Sequence, residues 1–484
     1  MSELRFLPKE KKRVLISNRG EIAIRIAKAC RELGHTAVGI WTDNEPAAKH
    51  LEFCDEWVRL PGKTNAETYL NIPAIIKLCK ESKIDAVHPG YGFLAERTEF
   101  AEALEKEKIV FIGPNSNAVK LMGDKATSKV LAKSVGVPVI PGSAEAVPSV
   151  AEAIKISNDI GYPVLLKAVA GGGGRGQRAC FSEGEIKDHF EAVQRESQSA
   201  FGNGDLLVEK LILDPHHIEV QVLGDKKGNV YHFFERECSV QRRNQKIIEE
   251  APSPFIGDDE KLRQEICTTA VKLAQAVKYD SAGTVEFIMG ADRKFYFLEM
   301  NTRIQVEHPI TEEITGVDLI ICMIQAAFGE ELGIPDQEWI HRTGHAIECR
   351  ICAEDPITML PAPGLVTGFD TNFPQGIRFD HCVYKNLDVT PDFDPMVGKL
   401  IAKGIVRDIA IRKMRSALKG LYIEGLKTNI PLHKVIMEDQ VFIDGNYTTT
   451  YIKEHKPQDR VKKTKKYSRF YKLLAGIEAK RMGM

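Results

Sequence analysis

The stretch that decides the fold is residues 299–309, EMNTRIQVEHP, in which a polar side chain recurs at every second position. A β-strand points successive side chains to opposite faces, so an extended backbone here places alternate residues on one side. The polar residues of that side are Glu299, Asn301, Arg303, Gln305 and Glu307. A dense polar row after an apolar strand is typical of a functional site, and a hairpin with solvated acids is the plainer interpretation.

Two apolar runs next to this row predict a β-hairpin. Residues 283–289 and 295–298 form the predicted strands, and residues 291–294 form the turn. This register sets Glu286 opposite Glu299, where two bare carboxylates ~4 Å apart would repel by about 4 kcal/mol at an effective dielectric of ~20. A divalent cation would remove the conflict. Oxygen ligands favour Mg²⁺ or Mn²⁺, which usually hold nucleotide phosphates in such sites.

The composition is that of an ordinary globular protein. The chain has 484 residues, of which 43% are hydrophobic, so we expect about three domains with buried cores. The formal net charge of -1 gives no general electrostatic reason to bind nucleic acid or an anionic membrane. Since no apolar run approaches ~18 residues and the N-terminus has no signal-peptide core, we expect a cytoplasmic protein. The scattered cysteines predict reduced thiols, and Cys349-x-x-Cys352 lacks the second pair that a zinc site needs.

Strand and helix alternate from residue 13 to residue 112, which predicts a doubly wound parallel sheet. The predicted strands are 14–17, 36–41, 84–88 and 109–112, and the predicted helices are 20–33, 69–83 and 99–106. We expect a mixed α/β and α+β chain with an N-terminal domain (1–112), a helical connector (113–139), a small lid domain (140–211), a large mixed domain (212–455) and a basic tail (456–484). The tail is interpreted either as a solvated charge run or as a docking segment.

A glycine-rich stretch, residues 171–176 (GGGGRG), follows a predicted buried strand. It matches the dinucleotide pattern G-x-G-x-x-G, but residues 178–181 predict another strand, and the next helix begins only at Ser182, where Ser182 and Glu185 form a capping box. We therefore expect a hairpin that approaches phosphate and moves as a lid, with a plain flexible loop as the alternative. Lys167 lies on the apolar strand before it, where an unpaired ammonium would be costly unless it meets an anion such as phosphate.

Seven motifs, taken together and in this order, resemble biotin carboxylase, an ATP-grasp ligase, over about residues 13–454. They are NRGEIAIR (18–25), HPGYGFLAE (88–96), MGDK (122–125), KAVAGGGGRG (167–176), ECSVQRRNQK (237–246), EMNTRIQVEHP (299–309) and ECRICAEDP (348–356). The resemblance implies a three-domain ATP-grasp fold with ATP between the lid and the C-terminal domain. The implied ATP-binding residues are Lys125, Lys167, Gly173, Gly174, Glu209, Lys210, Ile212, His217, Gln241, Asn244, Glu286 and Glu299.

The resemblance also implies a reaction. Two Mg²⁺ or Mn²⁺ ions would be held by Glu286, Glu299 and Asn301, and bicarbonate by Lys246, Arg303, Gln305 and the backbone of Val306. Glu307 would deprotonate bicarbonate, which attacks ATP to give carboxyphosphate and then CO₂. Arg350 would stabilise the biotin enolate, with Tyr91 and Gly92 near the biotin ring. The implied catalytic residues are therefore Glu307, Arg350, Arg303 and Lys246.

Two positions depart from the family pattern. Asn244 stands where many members have His, and Arg97-Thr98 replaces an Asn-Ala near the expected biotin entrance. The first departure favours a carboxylase that acts on an acyl-CoA. Asn still donates a hydrogen bond but cannot carry a positive charge.

The expected partners are separate chains, since no Ala-Met-Lys-Met biotinylation sequence and no carboxyltransferase are recognised. We expect a biotin carboxyl carrier protein, carboxyltransferase subunits and a homodimer, with acetyl-CoA or another acyl-CoA as acceptor and pyruvate as the alternative. Two other functions fit the motifs less well. The HPGYG and ECRICAEDP segments argue against a ligase of the carbamoyl-phosphate type, and the retained Glu307, Arg303 and metal ligands argue against a non-catalytic nucleotide-binding regulator.

Overall fold

The computed structural model describes residues 10–143, 145–169 and 176–461. The N-terminal part is a five-stranded parallel sheet in the order β3-β2-β1-β4-β5, with helices between its strands. This confirms the predicted doubly wound sheet. The elements are β1 (Arg13–Ile16), α1 (Gly20–Glu32), β2 (Thr36–Thr42), a 3₁₀ helix (Lys49–Phe53), β3 (Glu56–Leu60), α2 (Ile72–Glu81), β4 (Ala86–His88), α3 (Thr98–Lys106) and β5 (Val110–Phe111).

Strand β3 is absent from the strands predicted from the sequence. It is an edge strand that pairs only with β2, and four of its five residues are exposed or half-buried, including Trp57, which is 60% exposed. An edge strand with little burial lacks the apolar run by which the central strands are recognised.

A helical segment and a small antiparallel unit follow. Their elements are α4 (Ser116–Gly123), α5 (Lys125–Ser134), α6 (Val150–Ile160), β6 (Val164–Ala168), β7 (Gln177–Cys180), α7 (Glu183–Phe201) and β8 (Leu206–Lys210). The strands lie in the order β7-β6-β8, and β6 and β7, which flank the glycine stretch, are antiparallel, so these two strands form a hairpin and not the strand-to-helix unit of a Rossmann fold. The hydroxyl of Ser182 accepts a hydrogen bond from the backbone N–H of Glu185, as the capping prediction requires. Gly173 and Gly174 lie outside the described residues.

The centre of the molecule is an eight-stranded antiparallel sheet in the order β13-β12-β9-β10-β11-β14-β19-β17. From residue 216 to 404, the elements are β9 (His216–Gly224), β10 (Val230–Arg242), β11 (Gln245–Ala251), α8 (Glu260–Ala276), β12 (Ala282–Met289), β13 (Phe295–Asn301), α9 (His308–Thr315), α10 (Leu319–Phe328), a 3₁₀ helix (Gln337–Trp339), β14 (His345–Cys352), β15 (Gly364–Leu365), β16 (Gly368–Thr371), β17 (Ile377–His381), β18 (Asp388–Val389) and β19 (Met396–Gly404). Helix α8 packs on one end of this sheet through a shared apolar core.

The C-terminal helices cover the other end of the sheet. They are α11 (Arg407–Gly420), α12 (Ile430–Met437), α13 (Gln440–Ile443), α14 (Tyr451–His455) and a 3₁₀ helix (Pro457–Arg460), with β20 (Leu421–Glu424) pairing with β16. The described chain stays packed as far as Val461, because Pro457 and Val461 are buried and Arg460 binds Asp439. The remainder of the predicted tail, residues 462–484, lies outside the described residues.

The hairpin at the decisive stretch is confirmed, since β12 and β13 are antiparallel and Glu286 pairs with Glu299. The extended backbone does not continue through the whole polar row: β13 ends at Asn301, and the backbone bends before α9 begins at His308. Pro309 in the first turn of that helix is consistent with the change, because its fixed φ suits a helix start.

All ten cysteines are free, and nine of them are buried. None of the helices in the described part of the chain is both long and apolar enough to cross a membrane.

Candidate active site

A cavity of about 810 Å³ lies between the small antiparallel unit and the central sheet. Most of the residues predicted for ATP, bicarbonate and metal line it: Lys125, Lys167, Glu209, His217, Gln241, Asn244, Lys246, Glu286, Glu299, Asn301, Arg303, Gln305, Val306, Glu307 and Arg350. Although the backbone bends after Asn301, all five polar residues of the decisive stretch reach this one cavity.

A second cavity of about 360 Å³ adjoins the first and is lined by Tyr91 and Gly92. The two share Arg303, Val306 and Arg350 among their walls. The residues predicted for biotin and those predicted for ATP therefore lie on either side of Arg350.

Glu307 lies at the meeting point of two cations. It immediately precedes α9 and is 1% exposed, and its two oxygens accept hydrogen bonds from Lys246 Nζ at 2.6 Å and from Arg350 Nη2 at 2.9 Å. Burial alone would raise the pKa of Glu307, but Lys246, Arg350 and Arg236 outweigh it and hold that pKa below its ordinary value. The carboxylate is therefore ionised and able to accept a proton.

Lys246 connects three carboxylates through one ammonium group. Its Nζ lies 2.5 Å from Glu219, 2.9 Å from Glu286 and 2.6 Å from Glu307. Burial opposes the charged form, yet the three carboxylates together hold the pKa of Lys246 well above its ordinary value. Lys246 stays charged, and an anion that enters the cavity meets a fixed cation.

The oxygen ligands predicted for metal lie together on the hairpin. Glu286 and Glu299 face each other, and Asn301 donates to Glu286 at 2.9 Å. Neither carboxylate is bare, because Glu299 lies 3.4 Å from Lys125 and Glu286 accepts from Lys246. A hard oxygen donor set at the cavity wall fits Mg²⁺ or Mn²⁺.

A tighter group of possible ligands, His217, Glu219 and Glu286, lies deeper in the site. Both oxygens of Glu219 are already bound, one by Arg236 and the other by Lys246. Because neither oxygen of Glu219 is free, the oxygen donor set on the hairpin is the better candidate.

The predicted bicarbonate residues are held by hydrogen bonds of their own. Arg303 donates to Asn301 at 3.0 Å and to Glu96 at 3.0 Å. Gln305 donates to Glu286 at 2.7 Å, and the carbonyl of Val306 accepts from the buried Lys399 at 2.8 Å. Their side chains and backbone are thus fixed around Glu307 before any substrate enters.

Some of the residues predicted to bind ATP line the larger cavity, and others do not. Lys167 and Lys129 both pair with Glu209, at 2.6 Å and 3.1 Å, so a carboxylate is the anion that Lys167 meets in this structure. Lys210 donates to the carbonyls of residues 161 and 162, at 3.0 Å and 2.8 Å. Neither Lys210 nor Ile212 is among the described residues that line the cavity.

Asn244 occupies a tight turn at the cavity rim. Arg243 and Asn244 have φ values of 50° and 66°, and they join β10 to β11 through the pair Arg242 and Gln245. Two consecutive left-handed residues form a hairpin turn, and Asn is favoured in such turns, so the local backbone accommodates Asn244.

On the biotin side, the hydroxyl of Tyr91 donates to Glu21, and Arg350 bridges two carboxylates. Arg350 Nε donates to Glu249 at 2.6 Å, and its Nη2 donates to Glu307. Burial raises the pKa of Glu249 to about 7, with Arg350 opposing the shift and Glu307 adding to it. Arg350 is therefore held in place by two carboxylates with different pKa values, Glu249 with a raised pKa and Glu307 with a lowered one.

Among the residues that contact the predicted site and were not predicted from the sequence are Lys129, Glu219, Arg236 and Glu249. Glu219 and Arg236 are both completely buried. Glu219 lies between Ile218 and Val220, so the signal that singles out Lys167, a charge in an apolar strand, would have found it, whereas Arg236 lies between Glu235 and Glu237 and gives no such signal.

Comparison with known proteins agrees with this architecture. Residues 10–119 match the domain family "Biotin carboxylase, N-terminal domain", residues 124–334 match "Carbamoyl-phosphate synthase L chain, ATP binding domain", and residues 348–454 match "Biotin carboxylase C-terminal domain".

One curated relative and two solved structures resemble nearly the whole chain. Biotin carboxylase 2 of Bacillus subtilis is 46% identical, with 92% of this chain and 99% of that protein covered. The crystal structure of the biotin carboxylase subunit of pyruvate carboxylase is 47% identical with a TM-score of 0.85, covering 93% of this chain and 99% of that one. The biotin carboxylase domain dimer of Hydrogenobacter thermophilus 2-oxoglutarate carboxylase, in complex with MgADP, ADP and bicarbonate, is 47% identical with a TM-score of 0.83, covering 93% and 99%.

The fold and the cavity define an ATP-grasp ligase, with a parallel-sheet N-terminal domain and a large antiparallel sheet. Within that class, the chain belongs to the biotin carboxylase family. This confirms the resemblance found in the sequence. Both domains that flank the central ATP-binding domain match biotin carboxylase families, which favours a biotin carboxylase over a ligase of the carbamoyl-phosphate type.

Proposed function

We propose that this protein carboxylates biotin on a separate carrier protein, using ATP and bicarbonate, as the first half-reaction of an acyl-CoA carboxylase. The observation that carries the proposal is Glu307, a buried carboxylate in the wall of the larger cavity, which is shared between Lys246 and Arg350, and Arg350 lines both cavities. A base between two cations is suited to deprotonating an anion that those same cations attract.

Bicarbonate binding would change the pKa of Glu307, the base that receives the proton of bicarbonate. In the structure Lys246 and Arg350 lower the pKa of Glu307, which makes it a weak base. A bound bicarbonate would share both cations and weaken their hold on Glu307, so its pKa would rise towards that of an effective base. The deprotonated bicarbonate oxygen would then attack the γ-phosphate of ATP to give carboxyphosphate and ADP.

The nucleotide would lie in the larger cavity beside Lys125, Lys167 and Glu209, with Gly173 and Gly174 as further proposed contacts. Glu286, Glu299 and Asn301 would hold Mg²⁺ or Mn²⁺, which supplies charge neutralisation for the transferring phosphoryl group. In the structure Lys125 pairs with Glu299 and Lys167 pairs with Glu209. The phosphate oxygens of ATP would compete with these carboxylates for both ammonium groups.

Biotin would enter the smaller cavity beside Tyr91 and Gly92. Carboxyphosphate would decompose to CO₂ and phosphate, and the released phosphate would take the N–H proton of the biotin ureido ring. Arg350 would stabilise the resulting enolate, which captures the CO₂. Glu249 and Glu307 already hold the guanidinium of Arg350 in place by hydrogen bonds. The enolate would accept a hydrogen bond from this fixed group. No reorientation of Arg350 is needed in this scheme.

For the final acceptor we propose an acyl-CoA such as acetyl-CoA, with pyruvate as the alternative. The acceptor is chosen by the transferase chain, and relatives of this protein come from both a pyruvate carboxylase and a 2-oxoglutarate carboxylase. The proposal for acyl-CoA is supported only by Asn244, which lies at the cavity rim. We also propose that the protein works as a homodimer with separate carrier and transferase chains.

The decisive experiment measures ATP hydrolysis by the purified protein with and without bicarbonate and free biotin. We expect hydrolysis that depends on bicarbonate and increases with biotin. To identify the acceptor, biotinylated carrier and a carboxyltransferase from the same source are then added. Acetyl-CoA, propionyl-CoA and pyruvate are tested one at a time in this mixture. Hydrolysis that is indifferent to bicarbonate would contradict the proposed reaction.

A further inference from the structure

Arg236 is an arginine of β10 with no exposed surface and with every N–H group in use. Its Nε donates to Glu219 Oε1 at 2.6 Å, and its Nη1 donates to Gln221 at 2.7 Å and Thr311 at 3.0 Å. Its Nη2 donates to Thr284 at 3.0 Å and to Gln305 Oε1 at 2.6 Å. A guanidinium has five N–H donors and no acceptor, so this group is fully satisfied by five acceptors.

The bond to Gln305 fixes which way its amide points. Because Arg236 can only donate, the Gln305 atom that faces it must be the carbonyl oxygen. The amide nitrogen is then directed to Glu286, to which it donates at 2.7 Å. A flipped amide would set N–H against N–H on one side and two oxygens together on the other. Gln305 therefore presents a donor, and not an acceptor, at the cavity wall.

Arg236 also acts on Lys246 through Glu219. It binds Glu219 Oε1, and the second oxygen of Glu219 binds Lys246 Nζ at 2.5 Å. Arg236 itself is absent from the described lining of the cavity. One buried guanidinium thus sets two groups of the proposed bicarbonate site without touching the substrate.

We propose that Arg236 is a positioning residue for bicarbonate, which it serves by orienting the amide of Gln305 and, through Glu219, the ammonium of Lys246. The inference rests on the proposed function, because bicarbonate is the anion for which the donors are arranged. Nucleotide is expected to bind independently, since Lys125, Lys167 and Glu209 have no contact with Arg236 among the described hydrogen bonds.

The first test is Arg236→Lys, which keeps the charge but loses the planar fork and cannot reach all the acceptors. We expect the KM for bicarbonate to rise by about tenfold or more, equivalent to ~1.4 kcal/mol, while the KM for ATP changes by less than about twofold. Thr311→Val is the matched control, because it removes one bond of Arg236 and leaves those to Glu219 and Gln305 intact. It should leave both KM values unchanged.

The second test does not require any change at Arg236. Gln305→Met keeps the length of the side chain without adding charge and removes the amide N–H at the cavity. If the amide is oriented as described, the KM for bicarbonate rises about tenfold or more. If an oxygen of Gln305 already faced the cavity, its loss would leave the KM near that of the original protein or lower it.

The outcomes separate the inference from the proposed function. An unaltered bicarbonate KM in a folded Arg236→Lys protein overturns the positioning role, and so does an unaltered KM in Gln305→Met if Arg236→Lys does not fold. Equal rises in the KM for ATP and bicarbonate would also overturn it, because they indicate general damage. If the unsubstituted protein has no bicarbonate-dependent hydrolysis, the proposed function itself fails.

Discussion

Glu307 gives the sharpest prediction at the scale of single residues. Glu307→Gln removes the base but retains the shape of the side chain, so bicarbonate-dependent ATP hydrolysis should fall by about 10²-fold or more while nucleotide still binds. Hydrolysis and nucleotide affinity are measured on the same preparation. Glu313→Gln on the same helix is the control, because Glu313 pairs with Arg378 away from the cavity. Turnover that survives in the Glu307→Gln protein would rule out Glu307 as the base.

Arg350 should separate the two parts of the reaction. Arg350→Ala is expected to lower biotin carboxylation more than biotin-independent ATP cleavage, because its proposed substrate partner is the enolate. Both rates are measured with the same nucleotide and bicarbonate concentrations. Since Arg350 also holds Glu249 and Glu307, some loss in both assays is expected. Equal losses would assign Arg350 to holding Glu307 and not to biotin.

At the scale of elements, the β12–β13 hairpin is proposed to hold the metal. Glu299→Lys places a second ammonium beside Lys125 where a metal ligand is proposed, so activation by Mg²⁺ should be lost. Glu299 has 40% of its side chain exposed, and the fold should tolerate the change. Asp292→Lys makes the same charge reversal at the exposed turn of this hairpin and should leave the Mg²⁺ titration unchanged. An ordinary Mg²⁺ response in the Glu299→Lys protein would exclude Glu299 as a ligand.

A second element-scale prediction concerns the packing of α11 on the central sheet. Glu250 of β11 is fully buried and binds Arg407 at 2.7 Å and His345 at 2.5 Å, and it accepts a hydrogen bond from Tyr447. Burial would raise the pKa of Glu250, but Arg407 and His345 overcome it and lower the pKa to about 2. A group with a lowered pKa stabilises the fold above its unfolded value and loses that effect as the pH falls through the folded value.

The expected contribution follows from that shift. The pKa of Glu250 falls from its ordinary value of 4.5 to about 2, which corresponds to about 3 kcal/mol of unfolding free energy at neutral pH. Glu250→Gln should lower the free energy of unfolding by about 3–5 kcal/mol at neutral pH, and the difference should shrink as the pH falls from about 4.5 towards 2. Chemical unfolding across this range measures it, with exposed Glu438→Gln as the control. A difference that does not change with pH would contradict the assignment.

At the scale of the whole molecule, the function of the basic tail is still a hypothesis. Residues beyond Val461 are predicted either to be solvated or to dock a carrier or transferase chain through the apolar residues Tyr467, Phe470, Tyr471, Leu473, Leu474 and Ile477. A chain ending at Val461 keeps the buried Pro457 and Val461. It should retain activity on free biotin but lose co-purification with its partners.

The control keeps the tail and replaces those six apolar residues by Ser, which preserves the positive charge. If docking depends on the apolar residues, this variant should behave like the truncated chain. Assembly as good as that of the full chain, at matched ionic strength, would leave the solvated tail as the correct interpretation.

The sequence by itself determined the family, the fold class, the β12–β13 hairpin and its register, and most of the residues that line the larger cavity. These features are local: they depend on periodicity, on turn residues and on motifs that a chain carries in order. The edge strand β3 left too weak an apolar pattern to be recognised. The bend after Asn301 was hidden because alternating polar residues look the same in a strand and in a loop that lines a cavity.

Only the tertiary structure decided which charges pair. The residues involved come from four strands, and their hydrogen bonds depend on the register of β9, β10, β11 and β14. They are Glu219, Arg236, Lys246, Glu249 and Arg350. The cost of burying a charge depends on the partner that meets it, and that partner is fixed by packing between strands that are distant in sequence. The sequence could therefore place Glu307 in the site, whereas the direction of its pKa shift and the orientation of Gln305 required the assembled sheet.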